Sequence, residues 1–428
     1  MVSAMQNRSF SLAPNSEQSQ TDLAVRDQAF HAFVDILPLA EITRFKGPLS
    51  GLTFAAKDMF VYKDRQPRCG LNHPPALGLS GTAKVLETLL DAGAALSGFT
   101  TLTALAYEPS GVNGNGSRPV NPWGANLITG GSSSGSAVAV AAGFVDFAIG
   151  SDTAGSLRIP AQACGVASYK PSYGLISVAG AMPLAPSLDC IGFLARDVGL
   201  LQKVASHFVA PSSQPPLQFY IASDLYEICA PEIGAQLKHV QRILNAGGLE
   251  TKPLALSELI KAADAPLFVL LEGETAQSFA TLLEANELPE KLSQRVGKGL
   301  RHSQTAMQEA RLTTSALHDQ WLAHLPPDSC VILPAMPCLT PDVELCTQGS
   351  DRFSAKALYA LSEFTRLGSL LGLPVITVPV GVDQRGAPLA VQMMGHRGQD
   401  QALLAAAMKI QALSGFDLYD LRKTEGHA

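Results

Sequence analysis

The apolar residues of this chain follow two periods, and together these predict alternating strands and helices. Residues 49–60, LSGLTFAAKDMF, form a short apolar run into a lysine, as expected of a buried strand. In residues 81–92 the apolar side chains recur at helical spacing on one side, which predicts an amphipathic helix. Residues 94–102, AALSGFTTL, are typical of a second buried strand. This part of the chain therefore contains a strand–helix–strand unit.

The same order returns further along the chain. Residues 218–222 predict a strand, residues 231–246 a helix and residues 249–256 another strand. Apolar runs at 331–337 and 374–382 predict two later strands, which need a sheet to join. Strands that alternate with helices are typical of a parallel or mixed sheet covered by helices. We therefore predict an α/β protein.

Two stretches outside these units bear on the domain organisation. Residues 12–20 are typical of a flexible arm, and residues 21–36 have helical periodicity. We therefore assign residues 1–45 to an N-terminal arm and helix, and residues 46–428 to one large domain. The Pro- and Ser-rich residues 210–216 interrupt the pattern. We interpret them as a loop inside this domain, because the strands that follow need the same sheet.

The composition describes a folded chain with few charges. Of the 428 residues, 46% are hydrophobic and 16% are charged, so a large core is expected. The net charge of −6, without a basic block, argues against a nucleic-acid partner. Seven scattered cysteines without a CxxC pair predict free thiols in a reducing compartment. The uncharged residues 119–145 contain too short an apolar part to cross a bilayer, so we expect a cytoplasmic protein without a membrane partner.

Residues 130–140, GGSSSGSAVAV, place four serines within five positions. A flexible linker would not run directly into such an apolar segment, and a phosphate cradle lacks a following GK[ST] sequence. The letters GSSSG fit the G-x-S-x-G elbow of α/β-hydrolases with Ser133 as nucleophile, although that motif needs a buried strand before it and a loop-like segment precedes it here. Ser134 and Ser136 are expected to cap the following helix.

A second stretch of small residues, GSDTAGSLRIPA, offers another nucleophile. Thr153, Ala154 and Gly155 precede Ser156 in a turn, and the backbone N–H groups of such a turn can converge as an oxyanion hole. No histidine lies within fifty residues of Ser156, so its hydroxyl needs a different base. Lys57 is a candidate because burial disfavours the charged ammonium, although taken alone it would better fit a surface lysine at a strand end.

Taken together, these features resemble the amidase signature family of hydrolases. The resemblance rests on Lys57 after a short apolar strand, on GGSSSGS and on GSDTAGSLRIPA. The separations of 75 residues from Lys57 to Ser132 and of 24 residues from Ser132 to Ser156 fit the family. The match continues through CGVASYKPSYG, SLDCIGFLARD, LGLPVITVPVG and APLAVQMMG. It is thin across residues 210–325, the part that varies in the family and often shapes the substrate pocket.

This resemblance implies a Ser–cisSer–Lys triad made of Ser156, Ser132 and Lys57. Ser156 would attack an amide carbonyl, and Ser132, joined to Gly131 by a cis peptide bond, would relay the proton to neutral Lys57. An acyl-serine would form, and water would release the acid. The mechanism implies no cofactor and no metal site.

The resemblance also implies roles for the surrounding residues. Ser133 would hydrogen-bond around Lys57 and Ser132, while Asp152 and Arg158 would brace the turn. Ala154 stands where the family commonly has glycine or another small or apolar residue, and its N–H group is retained. The oxyanion would be held by the N–H groups of Thr153, Ala154, Gly155 and Ser156.

The fold implied by the resemblance is a single-domain α/β fold with a large mixed, mostly parallel β-sheet covered by helices on both faces, with residues 46–428 as the catalytic domain. The implied reaction is hydrolysis of a small carboxamide to a carboxylic acid and ammonia or an amine. Two alternatives stay open: a ureolytic hydrolase of the biuret or allophanate type, and the glutamine amidase subunit of an aminoacyl-tRNA amidotransferase. A non-catalytic binding module would have lost members of the triad, whereas all three are present. A homodimer stays open as the assembly.

Overall fold

The computed structural model describes residues 17–38, 46–113, 117–210 and 217–416. Within these residues, eleven strands form one sheet in the order β1-β3-β2-β4-β6-β5-β10-β11-β9-β7-β8. Strands from both sides of residues 210–216 join this sheet, so the protein is a single domain, although residues 211–216 themselves lie outside the described part. The strands are β1 Phe33–Ile36, β2 Thr53–Lys57, β3 Ala95–Thr100, β4 Phe147–Asp152, β5 Ala167–Lys170, β6 Cys190–Ala195, β7 Gln218–Ala222, β8 Thr251–Leu254, β9 Ser329–Pro334, β10 Val375–Val382 and β11 Pro388–Met394.

Helices cover the sheet and fill the connections between its strands. Among the described helices, none has the length and apolar character needed to cross a membrane. The helices are α1 Glu17–Asp27, α2 Lys84–Asp91, α3 Ser134–Ala141, α4 Arg158–Cys164, α5 Val198–Ala205, α6 Pro231–Ala246, α7 Ser257–Ala262, α8 Asp264–Ser278, α9 Ala280–Glu284, α10 Glu290–Val296, α11 Gln304–His324, α12 Val343–Cys346, α13 Ala355–Ala360, α14 Arg366–Leu370 and α15 Asp400–Ser414.

The side chains of the central strands alternate between two cores, which confirms a large sheet with helices on both faces. Phe54 and Ala56 of β2 enter a core that also contains residues of α5, α6 and α15. Ala55 points the other way, into a core built with α3 and α4. This period of two is what a pleated strand imposes when both of its faces are buried.

The sheet is mixed, as predicted, but the expectation that it is mostly parallel is wrong. Between neighbouring strands of the described residues, four pairings are parallel and six are antiparallel. The strand–helix–strand units do supply parallel pairs, such as β2 with β3 and β7 with β8. Other neighbours, such as β10 and β11, are joined by a short turn, and a connection of that length forces an antiparallel pair.

The N-terminal segment differs from the predicted arm and helix. Helix α1 ends at Asp27, and Phe33–Ile36 forms an edge strand that pairs antiparallel with β3, so the predicted helix over 21–36 is wrong in its last part. The Asp27 carboxylate accepts a hydrogen bond from the N–H of Ala32 at 2.8 Å, which stabilises the change of direction. Most of the predicted arm, residues 12–16, and residues 39–45 lie outside the described part of the chain.

Candidate active site

Three separate segments of the chain meet at one end of the central strands. Strands β2 and β4 are parallel neighbours, with Ala56 opposite Ile149, so their carboxyl ends lie side by side. Lys57 is the last residue of β2, and Ser151 lies near the end of β4. Helix α3 packs on these strands, and Ser132 lies just before its first turn.

Lys57 is fully buried and contacts two hydroxyl groups. Its Nζ donates to Oγ of Ser132 at 2.7 Å and to Oγ of Ser151 at 2.8 Å. Burial lowers the pKa of Lys57 to about 7, against the smaller opposing effect of nearby charges, the largest being that of Asp152. The neighbouring Asp58 carboxylate forms an ion pair with Arg65 at 2.9 Å instead. The amine is therefore not held as the cation of a salt bridge with Asp58.

Ser132 is buried and follows Gly131 through a cis peptide bond. The N–H of Gly131 donates to the carbonyl of Pro109 at 2.6 Å. A Cβ at Gly131 would lie 2.8 Å from the carbonyl oxygen of Glu108 and 2.8 Å from the backbone nitrogen of Gly111. Backbone atoms cannot yield as a flexible side chain does, so the close approach of this loop requires glycine before Ser132.

The other hydroxyls of the serine stretch bind the backbone of neighbouring strands. Ser133, expected around Lys57 and Ser132, instead donates from Oγ to the carbonyl of Ser151 at 3.2 Å. The nucleophile of a G-x-S-x-G elbow must be exposed to the substrate. Ser133 is buried and its hydroxyl is already hydrogen-bonded, so it does not fit that role. Ser134 and Ser136 do not cap α3, in contrast to the expectation from the sequence. Their hydroxyls donate to the carbonyls of Thr101 and Ile149, at 3.4 Å and 3.1 Å.

Ser156 lies on the wall of an open cleft. No partner in the described part of the chain hydrogen-bonds its hydroxyl, which is free to meet a ligand. Its carbonyl accepts from the N–H of Ser133 at 3.2 Å, which ties the turn to the serine stretch. Ser132 and Ser156 therefore lie in adjacent backbone segments, and a proton relay between their hydroxyls stays a prediction.

Three of the four predicted oxyanion donors are available. The N–H groups of Thr153, Ala154 and Ser156 donate to no acceptor within the described residues. The N–H of Gly155 is already bound to Oδ1 of Asp152 at 2.8 Å, so its predicted role needs correction. Because the Asp152 carboxylate accepts the hydrogen bond of the Gly155 N–H, only the other three N–H groups can donate to an oxygen of a ligand.

Asp152 and Arg158 form an ion pair at this turn, and the Asp152 carboxylate also accepts from the N–H groups of Gly155 and Leu157. Both side chains are fully buried, and two guanidinium nitrogens donate to the two carboxylate oxygens at 3.0 Å and 2.8 Å. Burial by itself would raise the pKa of Asp152, but the charge of Arg158 and its hydrogen bonds lower it to about 2. The pair therefore stays ionised and fixes the turn at neutral pH.

The sequence did not point to Ser151, Asp189 or Thr365. Ser151 is the second acceptor of Lys57. Asp189 is half-buried and accepts from the Thr153 hydroxyl at 2.6 Å, and Thr365 donates to the carbonyl of Ala154 at 2.6 Å. Ser151 and Asp189 lie inside segments that carry the family resemblance, GSDT and SLDC, which was the available signal. For Thr365 the sequence offers no comparable signal.

Both apolar and charged side chains line the cleft. Ile159, Leu184 and Leu358 are nearly fully buried and line it beside Ser156. Tyr359, which is 50% exposed, lies at its outer end. Four charged side chains also line the cleft, namely Glu108, Glu272, Arg295 and Lys298.

Comparisons with known proteins place this chain in a family and agree with its fold. The family model described as Amidase matches residues 38–404. Amidase 1 of Arabidopsis thaliana is 30% identical over 431 aligned positions, which cover 90% of this chain and 98% of the relative. A glutamyl-tRNA(Gln) amidotransferase subunit of Exiguobacterium sibiricum is also 30% identical, over 90% of this chain and 88% of the relative. A crystal structure of an amidase superposes with a TM-score of 0.82 at 27% identity, over 94% of this chain and 96% of the other.

Proposed function

This chain belongs to the amidase family of hydrolases, which act on amide C–N bonds, and from that premise we propose that Lys57, Ser132 and Ser156 carry out the hydrolysis through an acyl-serine. One observation carries the proposal. A lysine amine, fully buried and not paired with Asp58, lies 2.7 Å from a serine hydroxyl beside a cleft that contains a second, unbonded serine. Such an amine is neutral in a useful fraction of molecules at neutral pH and can act as a base.

The reaction proceeds in two halves that use the same proton route. Ser156 Oγ attacks the carbonyl carbon, and its proton passes through the Ser132 hydroxyl to Lys57 Nζ, which becomes an ammonium. The carbonyl oxygen gains the electron pair and is stabilised by the N–H groups of Thr153, Ala154 and Ser156. When the C–N bond breaks, the proton returns through Ser132 to the leaving nitrogen. A water molecule then attacks the acyl-serine by the same route and releases the acid.

Trapping of the acyl-enzyme tests this proposal. An anilide of a small acid should release a burst of aniline close to one equivalent per active site, and mass spectrometry of a quenched sample should place the acyl group on Ser156. Ser133→Ala is the matched control and should still be acylated at Ser156. Acylation at another side chain, or turnover in Ser156→Ala at the wild-type rate, would contradict the assignment.

A second candidate function is glutamine amidase activity within an aminoacyl-tRNA amidotransferase. It is favoured by the similarity to the amidotransferase subunit of Exiguobacterium sibiricum, 30% identical over most of both chains. A ureolytic activity is the third candidate. A panel of primary amides, anilides, ureas and glutamine, read by ammonia or amine release, separates the three. Turnover of small amides by the isolated chain supports the first candidate.

We also propose a cytoplasmic location and a homodimeric assembly. The location is supported by seven cysteines that form no disulfide within the described residues, six of them buried, which suit a reducing compartment. Fractionation of cells that express the chain tests the location, and recovery in a membrane or envelope fraction would contradict it. Light scattering of the purified protein tests the assembly, and the mass of a single chain would contradict the dimer.

A further inference from the structure

Two cations line the cleft without a carboxylate partner. Arg295 lies on α10, and Lys298 follows one turn later in the 3-10 segment Gly297–Arg301. Throughout residues 17–38, 46–113, 117–210 and 217–416, no carboxylate comes within ion-pair distance of either side chain. Two cations side by side on one cleft wall, neither in an ion pair, form a surface that favours an anionic group of a ligand.

The two acidic groups of the same cleft already have partners of their own. The Glu108 carboxylate accepts from the N–H of Ser110 at 3.0 Å and from its hydroxyl at 2.7 Å. Glu272 contacts His302 Nε2 at 2.9 Å. Burial raises the pKa of Glu108 to about 7, so this carboxyl is only partly ionised near neutral pH. The charge of Arg295 acts on the Glu108 carboxyl, but no ion-pair contact joins the two side chains, so Arg295 and Lys298 can still bind an anionic ligand.

Arg295 is held in position relative to the serine site. Its Nη2 donates to the carbonyl of Tyr107 at 2.9 Å, and the guanidinium lies over the Tyr107 ring, 5.4 Å from its centre. Two residues later, the carbonyl of Pro109 accepts from the N–H of Gly131, next to Ser132. One short segment thus contacts both the guanidinium and the serine stretch, and the remaining guanidinium N–H groups can form the paired bonds that a carboxylate accepts.

We propose that the cleft binds amides whose acyl chain ends in a second acidic group, a carboxylate, which Arg295 and Lys298 bind while the amide carbonyl lies at Ser156. This inference rests on the proposed function, because it assumes that the amide is cleaved at Ser156. It adds the substrate class, namely monoamides of dicarboxylic acids, for which the buried apolar side chains that line the cleft would contact the methylene chain.

The test compares three amides of the same chain length: glutaramate, its neutral methyl ester and the corresponding ω-amino amide. The wild-type kcat/KM is expected to favour glutaramate over the ester by between about 10-fold and about 100-fold, the usual effect of a charge-assisted hydrogen bond. Arg295→Met and Lys298→Met should each reduce this ratio, and high salt should reduce the contribution of exposed Lys298 most. Lys291→Met removes another exposed cation of α10, one that does not line the cleft, so it is the matched control and should keep the wild-type ratio.

A binding measurement separates failure of this inference from failure of the proposed function. Calorimetry with Ser156→Ala compares the affinity for glutaramate with that for the ester and does not depend on turnover. Preferential binding of glutaramate, lost in Ser156→Ala combined with Lys298→Met or Arg295→Met, supports the carboxylate site even if no amide is cleaved. Equal affinity for the two amides, a preference for the ω-amino amide, or a ratio that both cleft variants leave unchanged would overturn it.

Discussion

The acylation rate should follow the deprotonation of Lys57. Since burial lowers the pKa of this lysine to about 7, close to half of the side chains are neutral at pH 7. A lysine in water, with a pKa of 10.5, would be neutral in about one molecule in 3,000 at that pH. Burial therefore raises the fraction of available base by roughly three orders of magnitude.

This difference gives a worked pH profile. With a pKa of about 7, the neutral fraction is about one eleventh at pH 6 and about ten elevenths at pH 8, so acylation should become about tenfold faster between them. Lys57→Ala should lose about 10²-fold to 10⁴-fold, the range typical of a general base. Lys57→Arg should not restore the rate, because a guanidinium stays protonated throughout this pH range.

The assay is single-turnover release of a coloured amine from an anilide, followed by stopped flow from about pH 6 to about pH 9. Burial also raises the pKa of the cleft residue Glu108 to about 7, so the same profile is measured in Glu108→Gln. The midpoint should persist in that variant if Lys57 is the titrating group. A folded Lys57→Arg enzyme that acylates near the wild-type rate would refute the assignment of Lys57 as the base.

Four further predictions concern the same site. Ser156→Ala should abolish turnover with unchanged circular dichroism, whereas Ser133→Ala, which loses two hydrogen bonds to the Ser151 backbone, should keep measurable kcat. Asp189→Asn should lower the midpoint of the pH profile, because the Asp189 charge raises the pKa of Lys57, and it should also lower kcat; an unchanged midpoint would contradict this coupling. Gly155→Ala should lower both kcat and the thermal midpoint, because at φ +131° its Cβ would overlap the Thr365 hydroxyl; a fully active, equally stable variant would oppose this argument. Dialysis against a chelator should leave the amidase rate unchanged, and a loss restored by zinc would contradict the serine mechanism.

The residue types of the site could be predicted from the sequence because its motifs are contiguous. GSDTAGSLRIPA contains the nucleophile candidate, the turn and both members of the Asp152–Arg158 pair within twelve positions. Residues that act together and are also neighbours in the sequence can be recognised from the sequence alone. Contacts between distant segments cannot be recognised in this way. The hydroxyls of Ser134 and Ser136 donate to the carbonyls of Thr101 and Ile149, which come close only when α3 packs on the sheet.

The errors in the fold prediction have a similar cause. The spacing of apolar residues along the sequence identifies strands such as β2 and β3. It does not show whether distant strands pair parallel or antiparallel. Most of the strands could therefore be located from the sequence, while the share of parallel pairs was overestimated. At Phe33–Ile36 the residues are only half-buried at an edge, so pairing with β3, rather than a strong local preference, decides their conformation.

The position of the base follows from the topology of the sheet. A lysine becomes a base only if its amine is taken out of water, and an isolated strand end cannot do that. Here β2 lies between β3 and β4, with both pairings parallel, so Lys57 at its carboxyl end lies beside Ser151 of β4. Helix α3 covers these strands and brings Ser132 to the other side of the amine. The two hydroxyls satisfy the amine without a counter-charge, and this combination of burial and neutral partners is what leaves its pKa low enough for catalysis.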